Sequence, residues 1–303
     1  MKLGLVSAIL PSYSLEKVVD TVSEIGYEAL EVCCWPKGNA ERRYAGITHI
    51  DIDTASDADL DGIKAMVAAK GIEISSLGYY PNPLDPNKEK SEFYINHILK
   101  MIDVTKKLGV DRITTFIGKN KSLSVEDNME LFKKLWAPII RKADESNVKI
   151  GIENCQMYFT KDEWPGGNNL ASTPAIWRKM FSIFPQECFG LNYDPSHPYW
   201  MQMDYIKPIY EFKDRIQHIH IKDALVYKDK LDEVSIYGYP LDFHSPKLPG
   251  LGGIDWGRFI SALHDIRYTG PACIEVEDKA FESCEEDVLS AVKQAYAFMR
   301  NYI

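Results

Sequence analysis

Residues 217–223, Gln-His-Ile-His-Ile-Lys-Asp, place His218 and His220 on alternate positions of a short β-type run. Two other strand-like runs upstream also end in acids, at Ile152-Glu153-Asn154 and at Leu191-Asn192-Tyr193-Asp194-Pro195-Ser196-His197. A fourth follows at Cys273-Ile274-Glu275-Val276-Glu277. Carboxylates and imidazoles are the side chains that hold cations and move protons. Four such ends, separated by helix-length spacers, meet at one point if their strands are parallel and closed into a barrel. That is a metal site in outline.

Side chains alternate along a strand, so His220 shares its face with His218 and Lys222, and Glu275 shares its face with Cys273 and Glu277. A carboxylate at the end of an apolar strand costs several kcal/mol to desolvate unless it is paired or bound to metal. The competing reading is a salt-bridged rim in which Lys222 and Arg215 offset the acids. Three carboxylates and an imidazole from four successive strands favour the cation. His197 is read as a further ligand or a substrate-orienting group, and His218 as an interior residue one layer below the metal. His49, His97 and His264 are read as structural. Aromatic residues follow several strands: Trp35, Tyr79, Tyr80, Tyr158, Trp164 and Trp200. Of these Trp35, Tyr79, Trp164 and Trp200, together with His197, are the expected substrate contacts, since aromatic faces pack against sugar C–H faces. The short basic turn Gly118-Lys119-Asn120-Lys121 is a weaker candidate for holding an anion.

Eight strands are predicted to carry these groups, near 2–8, 28–34, 72–79, 111–117, 148–154, 188–194, 215–222 and 271–277. Helices are predicted between and after them, near 14–25, 57–70, 89–108, 126–146, 173–183, 204–213, 256–266 and 283–301. Ser124, Ser172-Thr173-Pro174 and Asp255-Trp256 read as helix starts. Gly26, Gly71, Gly109 and Gly270 read as C-caps ahead of strands. Eight β-α alternations give a single (β/α)8 TIM barrel over residues 1–303, its closure resting on apolar layers. A doubly wound sheet would not gather strands five to eight about one axis. Two connections are too long for simple turns: 155–172 after strand five and 224–255 after strand seven. The second, with hinges at Gly238 and Pro249-Gly250, is expected to be a lid carrying His244 over the mouth.

Composition narrows the function. A chain of 303 residues with 45% hydrophobic and 26% charged residues is an ordinary globular protein. Its net charge of −9 argues against a nucleic-acid partner. Six cysteines without a CxxC pair suit a reducing cytoplasm. The first ten residues resemble a short signal sequence but are read as the first strand. No apolar run reaches the ~20 residues that span a bilayer, so no membrane partner is expected.

Together, Ile152-Glu153-Asn154, Asp194-Pro195-Ser196-His197, His218 to Asp223, Leu248-Pro249-Gly250-Leu251-Gly252 with Asp255-Trp256, and Gly270-Pro271 leading to Glu275 and Glu277 resemble a known family. It is the xylose-isomerase-like TIM-barrel superfamily, in its sugar phosphate isomerase/epimerase branch, which includes ketose 3-epimerases, inosose dehydratases and inosose isomerases. The resemblance runs from the first strand to the last helix. It implies one divalent metal held by Glu153, Asp194, His220 and Glu275, with Glu153 and Glu275 also the acid/base pair. One departure is Glu277 beside Glu275, which leaves two acids for one ligand position. Such an oxygen-rich set suits Mn²⁺ first, with Mg²⁺, Co²⁺ or Zn²⁺ as alternatives.

The implied chemistry is proton removal next to a carbonyl, giving an enediolate, and return of a proton to the other face or the neighbouring carbon. That makes a sugar isomerase or epimerase. A leaving group on the neighbouring carbon would make a lyase instead, an inosose dehydratase or a deglycosidase of 3-oxo-glycosides including C-glycosides, with His244 or Lys222 the candidate acids. The partners expected are a sugar or keto-sugar, and a second copy or a small β-rich subunit. An abasic-site endonuclease on the same barrel would need extra histidines where this chain has Trp35 and Tyr79-Tyr80. A non-catalytic carbohydrate-binding barrel would leave the acids idle.

Overall fold

A computed structural model describes residues 1–38, 45–158, 161–164 and 166–303. Among them are ten strands: β1 (Lys2–Val6), β2 (Ala29–Cys33), β3 (Glu73–Gly78), β4 (Arg112–Thr115), β5 (Lys149–Glu153), β6 (Phe189–Tyr193), β7 (Ile216–Ile221), β8 (Asp223–Val226), β9 (His244–Lys247) and β10 (Pro271–Ile274). Eight of them close a parallel barrel in the order β1-β10-β7-β6-β5-β4-β3-β2, while β8 and β9 pair as an antiparallel hairpin. The helices are α1 (Leu15–Ile25), α2 (Asp57–Ala69), α3 (Lys88–Leu108), α4 (Val125–Ser146), α5 (Pro174–Ile183), α6 (Ser196–Trp200), α7 (Lys207–Glu211), α8 (Lys228–Val234), α9 (Pro240–Phe243), α10 (Trp256–Asp265) and α11 (Glu285–Met299). The chain is a single (β/α)8 barrel.

Local chemistry sets most boundaries. Ser14, Asn87, Ser124 and Asp255 cap their helices with side-chain oxygens, and Ser56 forms a full capping box with Asp59. Gly26 and Gly109 end α1 and α3 in the left-handed conformation. Gly270 does not cap. After α10 the positive φ falls on Arg267, three residues earlier. The helix expected over 204–213 shortens to α7, because Asp204 Oδ1 accepts from the Ile206 and Lys207 amides and starts the turn late. An unexpected short helix, α6, instead begins at Ser196, two residues after Asp194.

The apolar layer lies outside the sheet. Outward residues such as Leu5, Leu30, Ile113, Ile150, Leu191, Ile219 and Ile274 pack against helix residues including Val18, Ile98, Trp136, Phe259 and Val292 in one buried cluster. Each such side chain contributes ~1.5–3 kcal/mol when fully buried. The interior of the barrel is polar instead. Ser75, Arg112, His218, Glu31, Ser76 and Asn192 are all buried there, and Cys273 packs with Val6 and Cys33. A register shift pairs Glu31 with Ser76 directly after Leu30 with Ile74. That bulge leaves Ser75 extra, so that both serines reach interior partners, Ser75 Oγ at Cys273 and Ser76 Oγ at Glu31.

The segment after β7 is built rather than loose. β8 and β9 form its base, α8 and α9 its top, and Asp223 clamps its return. The Asp223 carboxylate accepts from the Gly250 amide (3.0 Å), the Ile254 amide (3.1 Å) and Trp256 Nε1 (2.9 Å). A Cβ at Gly252 would run into Asp223 Oδ1, which accounts for glycine there. The Pro-Gly-Leu-Gly run therefore acts as an anchor, and the hinge expected at Gly250 is tied down.

Candidate metal centre

Strand β5 delivers Glu153 at its last residue, and β6 delivers Asp194 one residue past its end. His220 comes from the last turn of pleat in β7, and Glu275 directly follows β10. One donor atom from each lies within 4.8 Å of the others. Donors about 2.1 Å from one ion stand no more than about 4.2 Å apart, so small side-chain shifts suffice to close on a cation.

Each carboxylate is held in place. Asn154 brackets Asp194 by accepting from its amide (2.8 Å) and donating to its carbonyl (2.9 Å). Asp194 Oδ1 accepts from the Ser196 amide at 2.7 Å, which starts α6 and commits that oxygen. The other oxygen, Oδ2, is buried without a hydrogen bond, although Lys222 Nζ is 3.2 Å and His197 Nε2 3.3 Å away. His220 Nδ1 is orphaned too, 3.6 Å from Glu153 Oε1 and 3.5 Å from Glu275 Oε2. Buried polar atoms normally find partners. An oxygen and a nitrogen that both face the same point fit a divalent cation bound by Glu153, Asp194, His220 and Glu275.

The electrostatics agree. Burial pushes Glu153 up, but the imidazoles of His197 and His220 and the Lys222 amine outweigh it and hold the carboxyl well below its usual range. Asp194 is likewise raised by burial and brought down to about 2, mainly by Lys222 and His197. Burial opposes charge on Lys222, yet Glu275, Glu277 and Asp194 keep its amine protonated well above the usual range. Glu277 Oε2 lies 3.3 Å from Lys222 Nζ and outside the four-donor cluster, so Glu275 is the acid that joins that cluster.

A cavity of about 750 Å³ opens over this floor. Glu153, His197, Lys222, Glu275 and Glu277 line its polar side, and Trp35, Trp200 and His244 its walls. His197 Nδ1 accepts from Trp200 Nε1 (3.4 Å), which leaves its Nε2–H directed between Glu153 and Asp194. His244 stacks on Trp200 with ring centroids 4.8 Å apart. Its Nδ1 donates to the Pro240 carbonyl at 2.6 Å, and burial lowers its pKa to about 4. A neutral imidazole with Nδ1 occupied offers Nε2 as an acceptor, so the role of proton donor does not suit His244.

Two expected substrate contacts lie elsewhere. Tyr79 points out of the barrel, only 1% exposed, packed on Trp35 (4.9 Å) and His97 (4.6 Å). The next residue, Tyr80, faces in and lines the cavity, as alternation from Gly78 requires. Trp164 stands behind the wall, against Trp200 and Tyr158, with Nε1 donating to the Tyr237 carbonyl. Arg215 does not offset the acids: its guanidinium donates to the carbonyls of Pro185, Gln186 and Phe189, at the other end of the barrel. Lys119 and Lys121 are used to hold the segment after β5, at the Gly166 carbonyl and at Glu163.

Sequence reasoning missed Glu31. It is fully buried inside the barrel, where its carboxylate accepts from Ser76 Oγ and Tyr80 OH and lies 3.0 Å from His220 Nε2. Its signal was present, a lone acid in the apolar strand Ala-Leu-Glu-Val-Cys. His218 lies below, between Asn192 Oδ1 (2.9 Å) and Ser75 Oγ (3.3 Å).

A family described as xylose isomerase-like TIM barrel matches residues 19–302. The chain belongs to that family. Inosose dehydratase of Histophilus somni is 22% identical, over 85% of this chain and 86% of that protein. The IolI protein with a bound zinc atom superposes with a TM-score of 0.71 at 17% identity, covering 100% of this chain and 99% of that one. The 3-keto-D-glucoside 4-epimerase YcjR of E. coli has a TM-score of 0.71 at 13% identity, covering 99% of both. At these identities the structural likeness speaks for the fold. Among the described residues, no helix is long and apolar enough to cross a membrane.

Proposed function

We propose that this family member is a divalent-metal-dependent sugar isomerase or epimerase that transfers a proton next to a carbonyl. The observation that carries the reading is the pairing of Glu153 and Glu275, two carboxylates on one cavity floor, with the orphaned Asp194 Oδ2 and His220 Nδ1 between them. A divalent cation there would polarise the substrate carbonyl and stabilise the charge left on proton loss. Of the ions such donors suit, Mn²⁺ is our first choice. The zinc atom in the IolI structure supports a divalent ion in a barrel of this fold.

The residues divide the remaining work. Glu153 and Glu275 come from strands on opposite sides of His220, so one can take a proton from a bound sugar while the other returns it. Lys222 and His197 bring N–H donors to the same floor, where they can orient hydroxyls. Trp35 and Trp200 flank the sugar, and the hairpin residues 244–247 cover it. His244 accepts a hydrogen bond through Nε2.

The size of the cavity favours one second reading. About 750 Å³ is in the range that takes a drug-sized ligand, more than one sugar ring needs. A lyase acting on a keto-sugar with a substituent would use that room, with Lys222 the donor to the leaving oxygen. Incubation with ketoses and a 3-keto-glucoside in D₂O separates the readings. Deuterium next to the carbonyl with the glycosidic bond intact supports the isomerase. Aglycone release supports the lyase, and absence of exchange in every compound rejects proton transfer by Glu153 and Glu275. Six free thiols support a reducing compartment, and with this substrate class we propose the cytoplasm.

A further inference from the structure

We propose that the end of the barrel opposite the metal centre is a binding site for a small, phosphate-bearing molecule.

Strand direction gathers cations there. β1, β4 and β5 begin on Lys2, Arg112 and Lys149, Lys213 lies just ahead of β7, and Arg267 lies between α10 and β10. In a closed parallel barrel all strand starts share one end, and these five side chains line a second cavity of about 540 Å³. The acids that end the strands belong to the other face. Lys149 and Glu153 are the first and last residues of β5, ~13 Å apart at the rise of a strand.

The charge of this cavity runs against that of the chain. Its five cations face two acids, Glu73 and Asp111, a surplus of three positive charges in a protein of net charge −9. Both acids are already engaged. Glu73 pairs with Lys2, and Asp111 is shared by Lys149 (3.1 Å) and Arg112 (3.3 Å). Lys213 and Arg267 have no ion-pair partner among the described residues. Like charges around one concavity focus a positive potential, which an anion seated between them would relieve.

Arg112 makes the site more than a group of surface lysines. Its side chain is only 6% exposed, and Nη1 donates to the Ser75 carbonyl at 3.0 Å, which ties the guanidinium to β3. Nη2 has a long contact of 3.4 Å with Asp111, and Nε is buried with no hydrogen-bond partner. Buried donors are ordinarily satisfied, and the planar guanidinium fork matches the oxygens of a phosphate. Arg112 is the fixed part of the site, and the exposed Lys213 and Arg267 close on the anion from the rim. A dianion offsets the surplus better than a single carboxylate does. The volume leaves space for an organic group beyond the phosphate.

The test takes inorganic phosphate as the probe, titrated calorimetrically into the full chain at about 0.15 M KCl, where weak surface attraction is screened. The parent should bind one phosphate with a Kd of roughly 1 mM or tighter, and acetate far more weakly. The double variant Lys213→Gln/Arg267→Gln should weaken phosphate binding roughly 10-fold or more. Both positions are exposed, so folding is not at stake there. Arg112→Met should abolish binding, and if that variant fails to fold the exposed pair still decides. Lys222→Met, which removes a cation at the catalytic end, should leave phosphate binding unchanged. No binding by the parent, equal affinity for acetate, full affinity in the double variant, or loss in Lys222→Met would each overturn the proposal.

Discussion

Lys222 Nζ lies 2.7 Å from Glu275 Oε2, against the same carboxylate that the metal position requires. The amine also reaches Asp194 and Glu277, so a permanent cation already stands beside a site proposed to hold a divalent one. Glu277 explains how both fit: it gives Lys222 a partner outside the four donors. The second acid after β10 is thus tied to the lysine after β7.

From this follows a prediction with opposed signs. Lys222→Met should bind Mn²⁺ several-fold more tightly, because a positive neighbour is removed, while turnover falls ~10²-fold with the lost donor. Calorimetric titration and steady-state rates on one preparation check both. Weaker Mn²⁺ binding would mean that Lys222 holds the carboxylates in position.

Glu153→Gln and His220→Ala should each lose bound metal and activity yet keep a cooperative thermal transition. The apolar layer that closes the barrel lies outside the sheet, whereas both side chains belong to the donor cluster inside it. Metal analysis after chelation and reloading should find close to one divalent ion per parent chain and far less in the variants. Full metal content in both would remove the assigned ligand set.

Asp223→Ala should loosen the cover without emptying the site. Three donors from the 250–256 return would lose their acceptor, and each unsatisfied group costs ~1–3 kcal/mol. We expect a lower melting temperature, faster proteolysis between β7 and α10, a higher KM and unchanged metal content. Resistance to protease equal to the parent would mean that β8 and β9 hold the segment without the clamp.

Much of this was legible because strands and helices leave periodic traces. Alternation placed His218, His220 and Lys222 on one face, and the acid-ended strands supplied the four donors that the barrel brings together. Glu31 escaped because an acid in mid-strand looks like an edge residue unless the strand is known to be central. Tyr79 and Tyr80 show the limit from the other side: two adjacent tyrosines point opposite ways, and only the register of β3 says which faces in. Tyr79→Phe should leave kcat and KM unchanged, whereas Tyr80→Phe should shift at least one of them. The segment after β7 was legible as long but not as a hairpin, since its anchor is a side chain accepting from backbone amides far along the chain.

His244 gives the last prediction, on pH. Burial lowers its pKa to about 4, below the ~6.5 of an unfolded histidine. The unfolded chain therefore takes up a proton at higher pH than the folded one. The stability from keeping this ring neutral is complete above ~6.5 and is lost as pH falls toward 4. Between pH 7.5 and 4.5 the parent should lose about 2–3 kcal/mol more than His244→Gln, in which that proton uptake is gone. Denaturant titrations at the two pH values measure the difference, with the other histidines common to both proteins. The same assignment says that Nε2 accepts throughout the working range, so His244 adds no limb to the rate profile between pH 5 and 8. His244→Ala should cut kcat/KM by roughly 3- to 10-fold, the size of one lost hydrogen bond of about 0.5–1.5 kcal/mol, with metal content unchanged. A normal kcat/KM in that variant would leave His244 as a packing residue of the cover, stacked on Trp200 and hydrogen-bonded to Pro240.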